Sequence, residues 1–202
     1  MYYSQNKEEE VILKHLGHLD TGRFLDIGAY DGVNLSNTYA LYNGSWDGVL
    51  VEASPVVFVK LMETYQDTVG NPECNTILVN AAIVPDAKGP MMFHDSGGDA
   101  IGTLDKKSKK RWPKANWYPI MVNPMTMHTL LEAVGYDFDF ISMDVEGINL
   151  ELFLCLPLDK LNKLKMICVE HDGHVVKMTE YLGADWTLIE YNPENAIYLR
   201  NG

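Results

Sequence analysis

The chain has 202 residues, 47% of them hydrophobic, which is enough for one globular domain with apolar cover on both sides of a sheet. Its formal charge of -12 at pH 7 argues against generic binding to nucleic acid or to an anionic membrane, and no apolar run reaches the ~18 residues of a membrane span. Cys74, Cys155 and Cys168 form no C-x-x-C pair and the polar start lacks a signal-peptide core, so a reducing, cytoplasmic setting is expected.

Within residues 1–20, Val11, Ile12 and Leu16 give Glu8 to Leu16 a helical apolar face that ends at Gly17. Phe24 to Ile27 then reads as a short apolar strand. It runs into a turn with Gly28 and Gly32 four positions apart, and Val33 to Asn43 reads as the helix behind it. Such a strand, turn and helix is where an α/β sheet holds a nucleotide. Gly28, Ala29, Tyr30 and Gly32 form the bend that a ligand approaches, while a helix N-terminus aims free N–H groups at it. Ser36, in the first turn of the expected helix, is a candidate contact for a ligand carboxylate.

Gly48 to Glu52 is a second apolar strand, and its acidic last residue lies 20 positions after Gly32. A carboxylate there accepts hydrogen bonds from both hydroxyls of a ribose, so Glu52 and the adjoining Ala53 join the candidate set. Charge selects the cofactor. Asp26 and Asp31 would repel the pyrophosphate of a dinucleotide, whereas they favour the ammonium and sulfonium of S-adenosyl-L-methionine.

Ser54 and Pro55 form an N-cap and first helical position for a helix to about Gln66. Thr76 to Ile83 is a nearly all-apolar third strand, expected to be covered on both faces, with Asn80 and Ala81 as candidate walls of an adenine pocket. Residues 85–124 form an insert. Six of the sixteen basic residues fall between Lys106 and Lys114, either as a solvated loop or as a lid whose Trp112, Trp117 and Tyr118 stack on a substrate. Tyr118 to Val122 reads as an edge strand and His128 to Val134 as a short helix.

Asp139 to Met143 begins a fourth parallel strand that breaks at Gly147 into a helix over Asn149 to Leu154. Asp144 and Glu146, two apart on an extended chain, point the same way, into the crevice at the strand's carboxyl end. Lys165 to His171 repeats this design, so that Asp144, Glu146, Glu170 and His171 gather at one rim. After a helix over Val175 to Leu182, Trp186 to Arg200 reads as an antiparallel hairpin at a sheet edge, a candidate surface for a homodimer. The fold class is α/β: a doubly wound, mostly parallel, Rossmann-like sheet in a single domain spanning 1–202.

Asp-Ile-Gly-Ala-Tyr-Asp-Gly at 26–32, Val-Glu-Ala-Ser-Pro at 51–55, Val-Asn-Ala-Ala at 79–82 and above all Met-Asp-Val-Glu-Gly at 143–147 resemble the FkbM family of S-adenosylmethionine-dependent methyltransferases. The resemblance runs from about residue 22 to the end. It implies a class I methyltransferase sheet of seven strands with a final antiparallel strand, and O-methylation of hydroxyls on sugars or other small molecules. A hydroxyl is a poor nucleophile at neutral pH and benefits from a base within hydrogen-bond reach. Glu146 is the first candidate for that base and His171 the second, with Asp144 orienting the cofactor. A Mg2+ site built from Asp144, Glu170, His171, Asp172 and His174 is a weaker alternative. Two other readings stand beside O-methylation: an RNA methyltransferase using the Lys-rich insert, and a non-catalytic adenosyl-ligand-binding protein.

Overall fold

The computed structural model describes residues 2–68 and 75–202, so that Cys74 lies outside the described residues. In chain order the elements are α1 (Glu8–Leu16), β1 (Arg23–Ile27), α2 (Tyr39–Asn43), β2 (Asp47–Glu52), α3 (Pro55–Thr64), β3 (Ile77–Asn80), β4 (Ala82–Val84), β5 (Met91–Asp95), β6 (Tyr118–Val122), β7 (Pro124–Thr126), α4 (Met127–Val134), β8 (Phe140–Met143), α5 (Asn149–Phe153), β9 (Met166–Glu170), α6 (Val175–Leu182), β10 (Trp186–Tyr191) and β11 (Asn195–Arg200). Seven of the strands form one sheet in the order β10-β11-β9-β8-β1-β2-β3. β1, β2, β3, β8 and β9 run parallel, and β11 is antiparallel to both of its neighbours.

Alternation along the central strands builds a core on each face. Leu25, Ile27, Val49, Val51, Ile141 and Ile167 point to one side, where residues of α4, α5 and α6 such as Leu130, Phe153 and Met178 cover them. Phe24, Leu50, Phe140, Met166 and Cys168 point to the other, against Ile12 and Leu16 of α1, Leu41 of α2 and Leu61 of α3. All of these are buried. Each fully buried Leu, Ile or Phe contributes about 1.5–3 kcal/mol, which locks the sheet register.

The register sets up the site. Ile27 pairs with Val51 and Met143, and Met143 with Val169, so the next residues, Gly28, Glu52, Asp144 and Glu170, stand in a row at the strands' carboxyl ends. The chain leaves β1 for β2 and β3 on one side and reaches β8 and β9 on the other. β1 and β8 therefore flank the topological switch point, where open α/β sheets bind ligands.

Three expectations are corrected. The helix expected from Val33 starts only at Tyr39, because Asp31 Oδ1 accepts the N–H groups of Val33 (3.0 Å) and Asn34 (2.8 Å) and Leu35 turns to a φ of 61°. The third strand divides at Ala81. Its first half is the partly exposed edge of the main sheet, not a strand covered on both faces, and its second half pairs with β7. β6 belongs to a separate two-stranded antiparallel ribbon with β5. The tail forms the expected antiparallel hairpin at the sheet edge, with β11 between β9 and β10, so that Ala196, Ile197 and Tyr198 are fully buried. No described helix is long and apolar enough to cross a membrane.

Candidate active site

The row of residues at the strand ends opens into a cleft with three arms, and Asp144 and Ala100 line all of them. The first arm runs past Glu52, Ala53 and Ala81 under Phe93. The second holds Asp26, Ala29, Ser36 and Asn37. The third is bordered by Glu146, Glu170, Asp172 and Arg111.

In the first arm Glu52 is held by the backbone. Its Oε2 accepts the N–H of Tyr30 (3.1 Å) and its Oε1 the N–H of Ser54 (2.7 Å). Burial pushes its pKa up to about 7, against the downward pull of those N–H groups. A carboxylate has about four lone-pair sites, so two bonds leave acceptor capacity directed at the cleft. Ser54 also donates its hydroxyl to Asp95 and caps α3 by accepting from Val57 N–H. The ribbon of β5 and β6 is thus tied to the end of β2.

In the second arm Asp26 Oδ2 accepts from the Thr38 hydroxyl at 2.6 Å. Burial raises its pKa to about 6, although the hydroxyls of Thr38 and Ser142 stabilise the charge. Ser36 lines this arm, but its Oγ accepts the N–H groups of Thr38 (3.2 Å) and Tyr39 (3.0 Å) and so starts α2.

The third arm is crowded with acid. Asp144 is open to the cleft, yet burial of its carboxyl in the wall and the Glu146 charge raise its pKa. Burial and the Asp144 charge likewise raise Glu170. Glu146, at φ 28°, is pushed up to about 7 by burial and by Glu170, while Arg111 pulls it down. Asn149, fully buried, fixes the arrangement: its Nδ2 donates to Glu170 Oε2 (2.6 Å) and Asp172 Oδ2 (3.1 Å), and its Oδ1 accepts from Val145 N–H (2.9 Å).

Gly28, Ala29, Tyr30, Ser36, Glu52, Ala53, Ala81, Asp26, Asp144 and Glu146 therefore all border one connected cleft. Gly28 is required because a Cβ there would lie 1.7 Å from the Asp144 carbonyl oxygen, and its φ is 89°. Three other candidates do not border it. Gly32 packs under α3, where a Cβ would meet Tyr65 at 2.5 Å and Leu61 at 2.7 Å. Asn80 donates its amide to the Glu52 carbonyl (2.8 Å) and pins the chain at the end of β2. His171 is buried and both its nitrogens are engaged: Nδ1 accepts from Gly173 N–H (2.9 Å), which leaves Nε2 to donate to the Asn192 carbonyl (3.1 Å).

Residues between Asp99 and Leu104 line the first arm, and Arg111 and Trp112 the third. The Gly98 carbonyl accepts from Lys60 Nζ (2.6 Å) and the Tyr30 hydroxyl (3.4 Å), and Thr103 Oγ1 donates to the Glu146 carbonyl (2.7 Å). The pair Gly97 and Gly98, both at positive φ, is the sequence signal that marks this segment. Arg111 lay within the basic run already noted, but its neighbours across the cleft were not readable from the sequence, and neither was Asn149. Among the described residues no group of three or more His, Cys, Asp or Glu is arranged to hold a metal ion.

Comparisons with known proteins bear on the family and the fold. The family described as the Methyltransferase FkbM domain matches residues 26–184. No curated protein matches the chain. Among solved structures, a protein from Haemophilus influenzae described as a methylase is similar with a TM-score of 0.55 at 14% identity, covering 100% of this chain and 92% of that one. The FkbM methyltransferase of Methylobacillus flagellatus KT has a TM-score of 0.51 at 12% identity over 89% of this chain, but only 44% of its own. A Streptococcus pneumoniae protein described as a tRNA methyltransferase has a TM-score of 0.50 at 10% identity, over 98% of this chain and 71% of that one. At these identities the structural likenesses establish the Rossmann-like methyltransferase fold, and the match over 26–184 establishes the family: the chain belongs to the FkbM methyltransferases.

Proposed function

We propose that this protein transfers a methyl group from S-adenosyl-L-methionine to a hydroxyl of a small molecule or carbohydrate, with Glu146 as the general base. The donor set suits that cofactor. Glu52 offers acceptor positions for a ribose diol beside the small walls Ala53 and Ala81, and Asp26 and Asp144 place negative charge where a sulfonium and an ammonium would sit. When bound, the cofactor supplies a methyl carbon whose bond to sulfur breaks as a bond to the acceptor oxygen forms, leaving the electron pair on sulfur.

The observation that carries the reading is the position of Glu146, where the first and third arms meet next to Asp144, with its pKa raised to about 7. A base of that strength is partly ionised at neutral pH and accepts the hydroxyl proton as the oxygen attacks. Asp144 orients and neutralises, while residues of the loop from Asp99 to Leu104 line the first arm. In an RNA methyltransferase the acceptor path would be basic. Here Arg111 is the one basic residue bordering the third arm, against five carboxylates. The test is formation of S-adenosylhomocysteine by wild type and Glu146→Gln with a panel of hydroxylated acceptors. Turnover in wild type that collapses in the variant, with S-adenosylhomocysteine affinity retained, supports the assignment. Equal turnover in both removes Glu146.

A further inference from the structure

The three arms of the cleft differ in size. The third encloses about 420 Å³, the first about 60 Å³ and the second about 40 Å³. Pockets that take a small ligand or cofactor run from about 300 Å³ upward. An adenosyl group therefore does not fit the first arm with its walls where they stand, and one of those walls has to yield. Ile27, Val51 and Ile83 are buried in the core, and Phe93 is buried and paired with Ile120 across the ribbon. Asp144 and Val145 are pinned by their N–H groups, which donate to the Ile27 carbonyl (2.9 Å) and to Asn149 Oδ1 (2.9 Å). The wall left to move is the segment from Gly98 to Thr103, which belongs to no helix and, apart from one bridge at Thr103, pairs with no strand. Asp99, Ala100, Gly102 and Thr103 line the first arm from this segment.

The two ends of the segment are held by unequal means. At Thr103 the backbone exchanges two hydrogen bonds with His94 (2.8 and 3.1 Å), and the hydroxyl donates to the Glu146 carbonyl at 2.7 Å. At Gly98 the carbonyl accepts from the Lys60 ammonium on α3 at 2.6 Å and, at the longer distance of 3.4 Å, from the Tyr30 hydroxyl. Lys60 is exposed, and an exposed side chain gives up such a bond to water at little cost. Gly97 and Gly98, at φ 79° and 95°, put a pivot beside that bond. The Thr103 end is an anchor and the Gly98 end a latch.

Resting on the methyltransferase reading above, we propose that the latch is autoinhibitory: Lys60, helped by Tyr30, holds the segment from Gly98 to Thr103 in the space the adenosyl group needs, and the cofactor enters once the Gly98 carbonyl is released. The cofactor then binds the unlatched fraction of the protein alone, and its measured affinity is reduced by that fraction. Lys60 lines none of the three arms, so its effect on the cofactor runs through the segment it holds. The third arm is open in the same state, so the latch acts on the cofactor and not on the acceptor.

Binding of S-adenosylhomocysteine to wild type, K60M, K60R and Y30F, followed by calorimetry and by stopped-flow association and dissociation, tests this. That ligand carries no net charge at neutral pH, so loss of the Lys60 charge neither draws nor repels it. K60M should bind about fivefold tighter, with the gain in the association rate and dissociation unchanged, because the competing bond is gone. K60R keeps a donor and should stay near wild type. Y30F keeps the N–H bond to Glu52 and should gain less, about twofold, in keeping with its longer contact. Unchanged or weaker binding in K60M overturns the proposal. So does a gain that comes from slower dissociation, which would mean better contacts and not a freed site. Failure of all four proteins to bind S-adenosylhomocysteine refutes the methyltransferase reading and the latch with it, whereas binding that is indifferent to K60M refutes only the latch.

Discussion

The arm around Glu52 and the arm around Glu146 share Asp144, but they control negative charge by different means. Glu52 is the last residue of a central strand, and backbone N–H groups of Tyr30 and Ser54 hold its two oxygens. Those donors belong to the turns that end β1 and β2, so the charge is placed by the sheet itself. Glu146, Glu170 and Asp172 instead lean on side chains from separate elements, Asn149 at the start of α5 for the last two and Arg111 from the turn Ser108–Arg111. Backbone donors are fixed once the sheet forms, whereas a side-chain ion pair at a partly exposed position contributes little and exchanges readily. The contrast suits a cofactor that is always the same on one side, and on the other an acceptor that must enter, lose a proton and leave.

The comparison breaks most completely at Gly28, which both arms need. Gly28→Ala puts a methyl group against the Asp144 carbonyl at a backbone angle that alanine resists, and should destabilise the protein by roughly 3 kcal/mol or more and abolish S-adenosylhomocysteine binding. Thermal unfolding checks this, and a variant with the wild-type Tm would mean that the two strand ends are not in contact. Glu146→Gln should cost about 10²-fold in turnover while cofactor affinity stays put. Glu52→Ala should do the reverse, weakening S-adenosylhomocysteine by ~1.5–3 kcal/mol, because a charged acceptor is lost from the first arm. Calorimetry on the pair reads whether the arms are separable.

A pH profile sharpens the difference. A base must be deprotonated, so turnover should rise with pH through about 7, where Glu146 ionises, and level off above it. Arg111 holds that ionisation down, and R111A should therefore move the rising limb to higher pH. A limb that does not move would mean that Arg111 does not sense Glu146. The smallest effect is expected at His171. His171→Ala should lose ~1–2 kcal/mol of stability with the two backbone bonds and leave the pH profile unshifted, and a shifted profile would mark the histidine as a base.

Periodicity was enough for most of the sheet. The apolar runs at 24–27, 48–52, 140–143 and 166–170 became its central strands, because alternation between two covered faces is visible in one dimension. It misled at Val33, where Asp31 captured the N–H groups that a helix would have needed, and at Ala81, where the strand changes partners. Nor does it show that His171, at a strand end, is buried with its ring against the turn at Asn192.

Sequence by itself determined the family, the order of the elements and which acids end the parallel strands, since these follow from local patterns of glycine, carboxylate and apolar residues. Only the tertiary structure decided which of those acids face one another, that Arg111 sits among them and that Asn80, Gly32 and His171 do not line the cleft. Such facts depend on side chains far apart in the chain meeting across the cleft, and burial and charge act on them only once they have met.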